Sequence, residues 1–125
     1  MHEVAGFDQE TGLGLVRLLV PAQGEPFVLG DAQALKEKDA VLAAGARGNI
    51  APAFITSRRE FTGGWEYLLD NAIFTFPPIA DWGGAALIEP SGKLVGVGSL
   101  FVRDAAGNGT SVPGNMFVPV DILKP

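Results

Sequence analysis

A chain of 125 residues, 47% hydrophobic and 18% charged, has the size and apolar mass of one compact domain, which excludes wholesale disorder. Its formal charge of −5 with no basic stripe argues against nucleic acid, whose backbone is gripped by Lys and Arg, and zero cysteines remove disulfides and thiolate sites. No apolar run is long enough to span a bilayer, and no basic start followed by an apolar stretch marks a leader, so periplasm and cytoplasm both stay open.

Seventeen Gly and nine Pro interrupt the chain too often for long helices, so the expected class is all-β. Val4 to Val20 reads as a strand end, a polar turn around Asp8 and Gly12, and a strand Leu13–Val20 whose near-continuous apolarity implies burial on both faces. Residues 21–26, with Pro at each end, are a connection. Phe27 to Asp31 is a short strand and turn, and Asp31 can cap a helical turn within Ala32–Lys38. Lys36, Glu37, Lys38 and Asp39 form a solvated turn.

Ala40–Ala44 is a strand ended by Gly45, and Ala51–Ile55 resumes the β pattern. Ser57-Arg58-Arg59-Glu60 is expected to end it as a charged edge that discourages strand pairing. A turn with Phe61 and Trp65 follows, the latter ring expected to pack, and strands Glu66–Leu69 and Ala72–Phe76 flank Asp70-Asn71. Leu87-Ile88 and Leu94–Val97 enclose a tight turn with Pro90 early and Gly92 late. Ser99–Val102 continues outward, Asp104–Ser111 is a flexible polar loop, and Asn115–Val120 is the last strand, with Asp121 placed to cap a helix cut short at Pro125.

The chemistry-bearing stretch is Phe74 to Ile88, a Pro-rich approach through Ala80-Asp81-Trp82-Gly83-Gly84 into an apolar hairpin. In order, the chain shows Asp8, then Thr11-x-Leu13-x-Leu15-Val16-Arg17-Leu18, then Leu29-Gly30-Asp31 and Leu35-Lys36, then Trp82-Gly83-Gly84 through Glu89-Pro90-Ser91-Gly92-Lys93-Leu94, then Asn115-Met116-Phe117-Val118-Pro119-Val120-Asp121. This order resembles the trypsin-like domain of bacterial proteases of the HtrA type. The resemblance implies a six-stranded antiparallel Greek-key barrel like the C-terminal half of a trypsin-like protease. It also implies a preceding strand or hairpin (1–20) like the end of a first barrel, a connection (21–26) and the second barrel (27–125) with a truncated C-terminal helix.

The same resemblance removes the catalytic residues. Acyl transfer needs a hydroxyl nucleophile, an imidazole base, a carboxylate to orient it and two N–H groups on the oxyanion. Against the family motif Gly-Asn-Ser-Gly-Gly, Trp82 stands at the nucleophile and Ala80 at the oxyanion-hole glycine, and the aspartate position falls at Gly12. His2, the only histidine, follows the initiator Met without a scaffold before it, and Ser91 and Ser99 have no histidine to activate them. Neither metal site nor cofactor is implied, since one His and no Cys exclude the common zinc sites, and Asp104–Asn108 lacks the ligand density of a calcium loop.

The expectation is a protease homologue without catalysis, kept for binding an extended peptide or protein. Gly98, Ser99 and Leu100 would form the docking edge, with Phe76 and Asp81 beside it. Trp82 would plug the vacated place and Asp81 would anchor it. A missing first barrel is one expected partner for Leu13–Val20, and self-association is the simplest other cover. Two readings compete: a fragment of an active serine peptidase, and an unrelated small all-β interaction module.

Overall fold

The computed structural model describes residues 2–8, 12–62 and 68–124. Eight strands follow in chain order: β1 (His2–Asp8), β2 (Leu13–Leu18), β3 (Ala40–Ala44), β4 (Ile50–Thr62), β5 (Leu68–Phe76), β6 (Ala86–Ile88), β7 (Leu94–Val102) and β8 (Gly114–Pro119). β1 and β2 form a separate antiparallel hairpin, while the other six close into a barrel in the order β3-β4-β5-β8-β7-β6. All its ladders are antiparallel, and the crossover from β5 to β6 gives the Greek-key order. Among the described residues no helix is long and apolar enough to cross a membrane.

Period-two alternation explains the barrel interior. Val41 and Ala43 of β3, Ala53 and Ile55 of β4, Ile73 of β5, Leu87 of β6, Val95 of β7 and Phe117 of β8 point inward into one buried cluster. On the outer side of β5 and β8, Ala72, Phe74, Met116 and Val118 make a second cluster under Phe61, Leu100, Val102 and Val112, joined by Leu13 from the hairpin. Every residue of β8 is buried, because it packs on both faces, and this is why that segment reads as an apolar run.

Several expectations change. Leu15, Val16, Leu18, Leu19 and Val20 are exposed, not buried on both faces, since β2 pairs only with β1. Phe27–Asp31 contributes a single parallel bridge, Leu29 to Leu94, instead of a strand. Asp31 does cap a turn, its carboxylate accepting from the Gln33 amide at 3.0 Å, but the 3₁₀ turn covers only Ala32–Ala34. Residues 57–60 do not end the strand: β4 continues to Thr62, beyond the end of its β3 ladder at Phe54, and Ser57, Arg58 and Arg59 pair with Phe74, Ile73 and Ala72 of β5. Arg58 is half-buried and donates to the carbonyls of Ala32, Leu35 (3.0 Å), Asn71 (2.8 Å) and Ala72 (3.4 Å). Arg59 lies 3.7 Å over the Phe74 ring.

Asp70 and Asn71 do not end β5, which runs from Leu68 to Phe76, but they fall in the register shift between the Arg59–Ala72 and Phe61–Leu69 pairs, a bulge instead of a turn. The 104–111 loop is tied down at Ala105, whose carbonyl accepts from the Thr56 hydroxyl at 2.7 Å and the Ser57 hydroxyl at 2.8 Å. Asp121 does not cap a helix but sits inside a 3₁₀ turn, Val120–Leu123, where its carboxylate accepts from the Ala32 amide at 3.3 Å and pairs with Lys124 at 3.4 Å. The Lys124 ammonium also donates to the Gly30 carbonyl. The turn carrying Trp65, from Gly63 to Tyr67, and residues 9–11 lie outside the described residues.

Candidate functional site

The loop between β5 and β6 is fixed at three points. At its start, the Ile79 amide donates 2.8 Å to the Asn115 Oδ1, and the Asn115 amide donates 3.3 Å to the Leu100 carbonyl. Asn115 is fully buried, so its polar atoms need these partners, and it ties the loop to both β8 and β7. A lone amide in the apolar run Met116-Phe117-Val118 was the signal that sequence reasoning passed over.

In the middle, the Asp81 carboxylate accepts from the Arg47 amide at 3.1 Å, on the turn joining β3 to β4. That amide above all, helped by the Asn49 side chain and by the Arg47 charge, outweighs burial and holds Asp81 below the usual carboxylate range. The carboxylate rests on Gly45 so closely that a Cβ there would lie 2.0 Å from its oxygen, so the glycine that ends β3 is also the seat of the loop. Asp81 is thus a polar anchor facing a turn.

At its end, the loop meets β7. The Gly84 amide donates 2.9 Å to the Gly98 carbonyl, the Gly98 amide donates 2.7 Å to the Ala85 carbonyl, and the Ala85 amide donates 3.0 Å to the Trp82 carbonyl. A Cβ at Gly98 would stand 2.0 Å from the Trp82 carbonyl oxygen, so only glycine permits this approach. The Trp82 side chain is partly buried against the barrel-interior cluster. It offers no hydroxyl, and Ala80, two residues before it, is exposed.

The structure therefore brings Trp82, Asp81 and Gly98 together through one loop, and the open edge of β7 begins after Gly98. Both backbone groups of Gly98 are engaged, which corrects its assignment to an open edge. β6 ends its pairing with β7 at Ala86–Val97, so Ser99, Leu100, Phe101 and Val102 have β8 on one side and no described strand on the other. Ser99 is the bulged residue between the Gly98–Phe117 and Leu100–Met116 pairs, which bends the strand there. Phe76 lies apart, across β8 from that edge, stacked edge-on against Phe54 at 5.8 Å. These two rings, with Thr56, Val112 and Pro113, line an apolar cleft of about 730 Å³ on the outer side of β4 and β5.

Gly12, which the sequence resemblance puts at the aspartate position, occupies the β1–β2 turn with φ 74°, its amide donating 2.9 Å to the Asp8 carbonyl. The Ser91 hydroxyl is bonded to Glu89 in the β6–β7 turn, and that bond, with the Lys93 amide at 3.0 Å, holds Glu89 below the usual carboxylate range. No group of three or more His, Asp or Glu gathers as metal ligands among the described residues.

No protein-family model matches the sequence, and no curated protein matches it. Solved structures do. The HtrA-type protease AlgW, determined with a decapeptide, superimposes with a TM-score of 0.76 at 19% identity, covering 97% of this chain and 37% of the AlgW chain. An inactive serine-to-alanine mutant of Rv3671c from M. tuberculosis H37Rv gives 0.74 at 17% identity, covering 98% and 61%. The protease domain of MamO from Magnetospirillum magneticum, without ligand, gives 0.65 at 14% identity, covering 98% and 65%. The chain spans less than two-fifths of AlgW, and its six-stranded barrel has the fold of one half of a trypsin-like, HtrA-type protease domain.

Proposed function

We propose that this chain is a catalytically inactive domain of a trypsin-like serine protease homologue, retained to bind an extended peptide or protein segment. The observation that carries the proposal is Trp82: the loop, pinned by its backbone to Gly98 and anchored by Asp81, has an indole at the position that the sequence resemblance aligns with the nucleophile. Indole cannot attack a carbonyl, and a preserved loop geometry without a hydroxyl favours binding over turnover. Ser99 to Val102 offers the strand edge to which an extended segment adds by main-chain hydrogen bonds. AlgW was solved with a decapeptide and with a tripeptide, which supports a peptide as the ligand class.

Calorimetric titration with an array of extended peptides, followed by amide chemical-shift mapping, tests the reading. Binding with shifts centred on 99–102 is the expected result, and no binding by any peptide overturns it. Trp82→Ser is expected to give no hydrolysis of a fluorogenic peptide, because Ala80 and Gly12 remain. Labelling of the wild-type chain by a serine-directed phosphonate, lost on changing Ser91 or Ser99, would establish a working hydrolase instead.

A further inference from the structure

The cleft of about 730 Å³ on the outer side of β4 and β5 takes no part in the loop at Trp82 or in the β7 edge, since neither residues 79–82 nor residues 99–102 line it. Both its walls hang on β4. On one side, the Lys38 amide donates 2.7 Å to the Ile55 carbonyl, and the Ile55 amide donates 2.9 Å to the Asp39 carbonyl. On the other, the Ala105 carbonyl accepts from the Thr56 and Ser57 hydroxyls, the Ala105 amide donates 2.8 Å to the Val112 carbonyl, and Arg59 donates 3.0 Å to the Asp104 carbonyl. These bonds hold the cleft open, so it is formed before any ligand arrives. Phe54 and Phe76, paired edge to face at 5.8 Å, make its floor with Val112 and Pro113. Exposed Glu37, Lys38 and Ser111 border it, and their side chains bond no described residue. Lys38 is the one described non-glycine residue with a positive φ, 75°, a conformation that costs energy and is held by its bond to Ile55.

We propose that this cleft binds a neutral, ring-bearing small molecule whose single polar head, a hydroxyl or an amide, sits at the Glu37–Lys38 border. Its volume falls within the ~300–1,000 Å³ of small-molecule sites, and an apolar floor with a few free polar groups at its margin is their usual make-up. An edge-to-face pair offers a ring face and a ring edge to a third ring. The head follows from the border: Lys38 donates, Glu37 accepts and Ser111 does either. Opposite charges on adjacent residues leave little net field to favour an anion or a cation, so a neutral head fits best. An extended peptide is the poorer occupant here, because Ile55 has both backbone groups engaged and offers no strand edge. This site goes beyond the peptide reading of β7 and does not depend on it.

Titration of the full chain with para-phenylphenol, followed by amide chemical shifts, provides the test, with para-phenylbenzoate and para-phenylbenzylammonium as its charged counterparts at neutral pH. The expected result is saturable one-to-one binding of the phenol, with shifts confined to 37–38, 54–56 and 105–113, and at least tenfold weaker binding of both ions. Ala106→Trp, which fills the cleft from its wall, should weaken the phenol at least tenfold while the barrel keeps its thermal unfolding. Phe54→Ser should weaken it as much, and Ala106→Trp decides the matter where Phe54→Ser fails to fold. Phe101→Ser, on the β7 edge, should leave it unchanged. No saturable binding, shifts centred elsewhere, or an affinity that Ala106→Trp leaves intact overturns the proposal. So does either ion binding as tightly as the phenol.

Discussion

Replacing Gly98 with alanine tests the contact that holds the site loop on β7. The new Cβ would lie 2.0 Å from the Trp82 carbonyl oxygen, whereas an ordinary carbon–oxygen contact is about 3.3 Å. Backbone must therefore retreat by roughly 1.3 Å, and the obstructing atom is no flexible side-chain tip that can swing aside. That retreat breaks the pair of bonds between Gly98 and Gly84–Ala85, at 2.9 and 2.7 Å, and strains the Ala85–Trp82 bond. At about 1 kcal/mol each, with the buried Gly98 groups left without partners, the loss is about 3–4 kcal/mol. Against it stands a gain of about 0.4–1 kcal/mol from a stiffer unfolded chain, so the net expected cost is about 2–3.5 kcal/mol. Gly83→Ala is the matched control: a Cβ there meets nothing within 4 Å, and stability should stay level or rise by up to about 1 kcal/mol. Urea unfolding followed by tryptophan fluorescence gives both values, and amide hydrogen exchange reports the Gly98 bond directly. A Gly98→Ala protein within about 0.5 kcal/mol of wild type, with that amide still protected, would refute the reasoning.

Arg58→Met should cost about 2–4 kcal/mol, since it strips the donor from four carbonyls, those of Ala32 in the first 3₁₀ turn, Leu35 just after it, and Asn71 and Ala72 in β5, and Arg58→Lys should recover less than half of this because an ammonium lacks the planar fork. Urea unfolding of the two variants checks it, and a full rescue by lysine would contradict the fork argument. The Asp81 carboxyl is held below its ordinary range when folded, so its anchoring is complete above the unfolded-state pKa and is lost as pH falls through the folded value. Acidification should therefore loosen the loop and shift Trp82 emission in the wild type, and Asp81→Asn should abolish that transition; an identical acid transition in both proteins would rule out the anchor.

The barrel was legible because its strands alternate or run apolar within punctuated segments: Ala40–Ala44 with Gly45, and the Leu87–Val97 hairpin around Gly92, fold as their residues dictate. The site loop was legible through Gly83-Gly84 and Asp81. What could not be read were contacts between segments distant in sequence. Arg58 and Arg59 look like a solvated edge because charge usually is one, yet Arg58 finds its carbonyls 26 and 13 residues away in the chain. Asp70-Asn71 resembles a turn, but the pairing of Leu69 and Ala72 with β4 on either side carries the strand through it as a bulge. The closing of Gly98 depends on one backbone crossing another, which leaves no mark except the glycine itself.

The bonds from Ala32 to Asp121 and from Lys124 to Gly30 set the barrel's entry beside its exit. A unit that starts and stops at one point on its surface behaves as a cassette: a longer polypeptide can pass into it and out again without spanning it, and flanking modules can be exchanged without stretching its strands. The same geometry favours circular permutation, in which a short linker across this junction would preserve every barrel ladder while new ends open elsewhere.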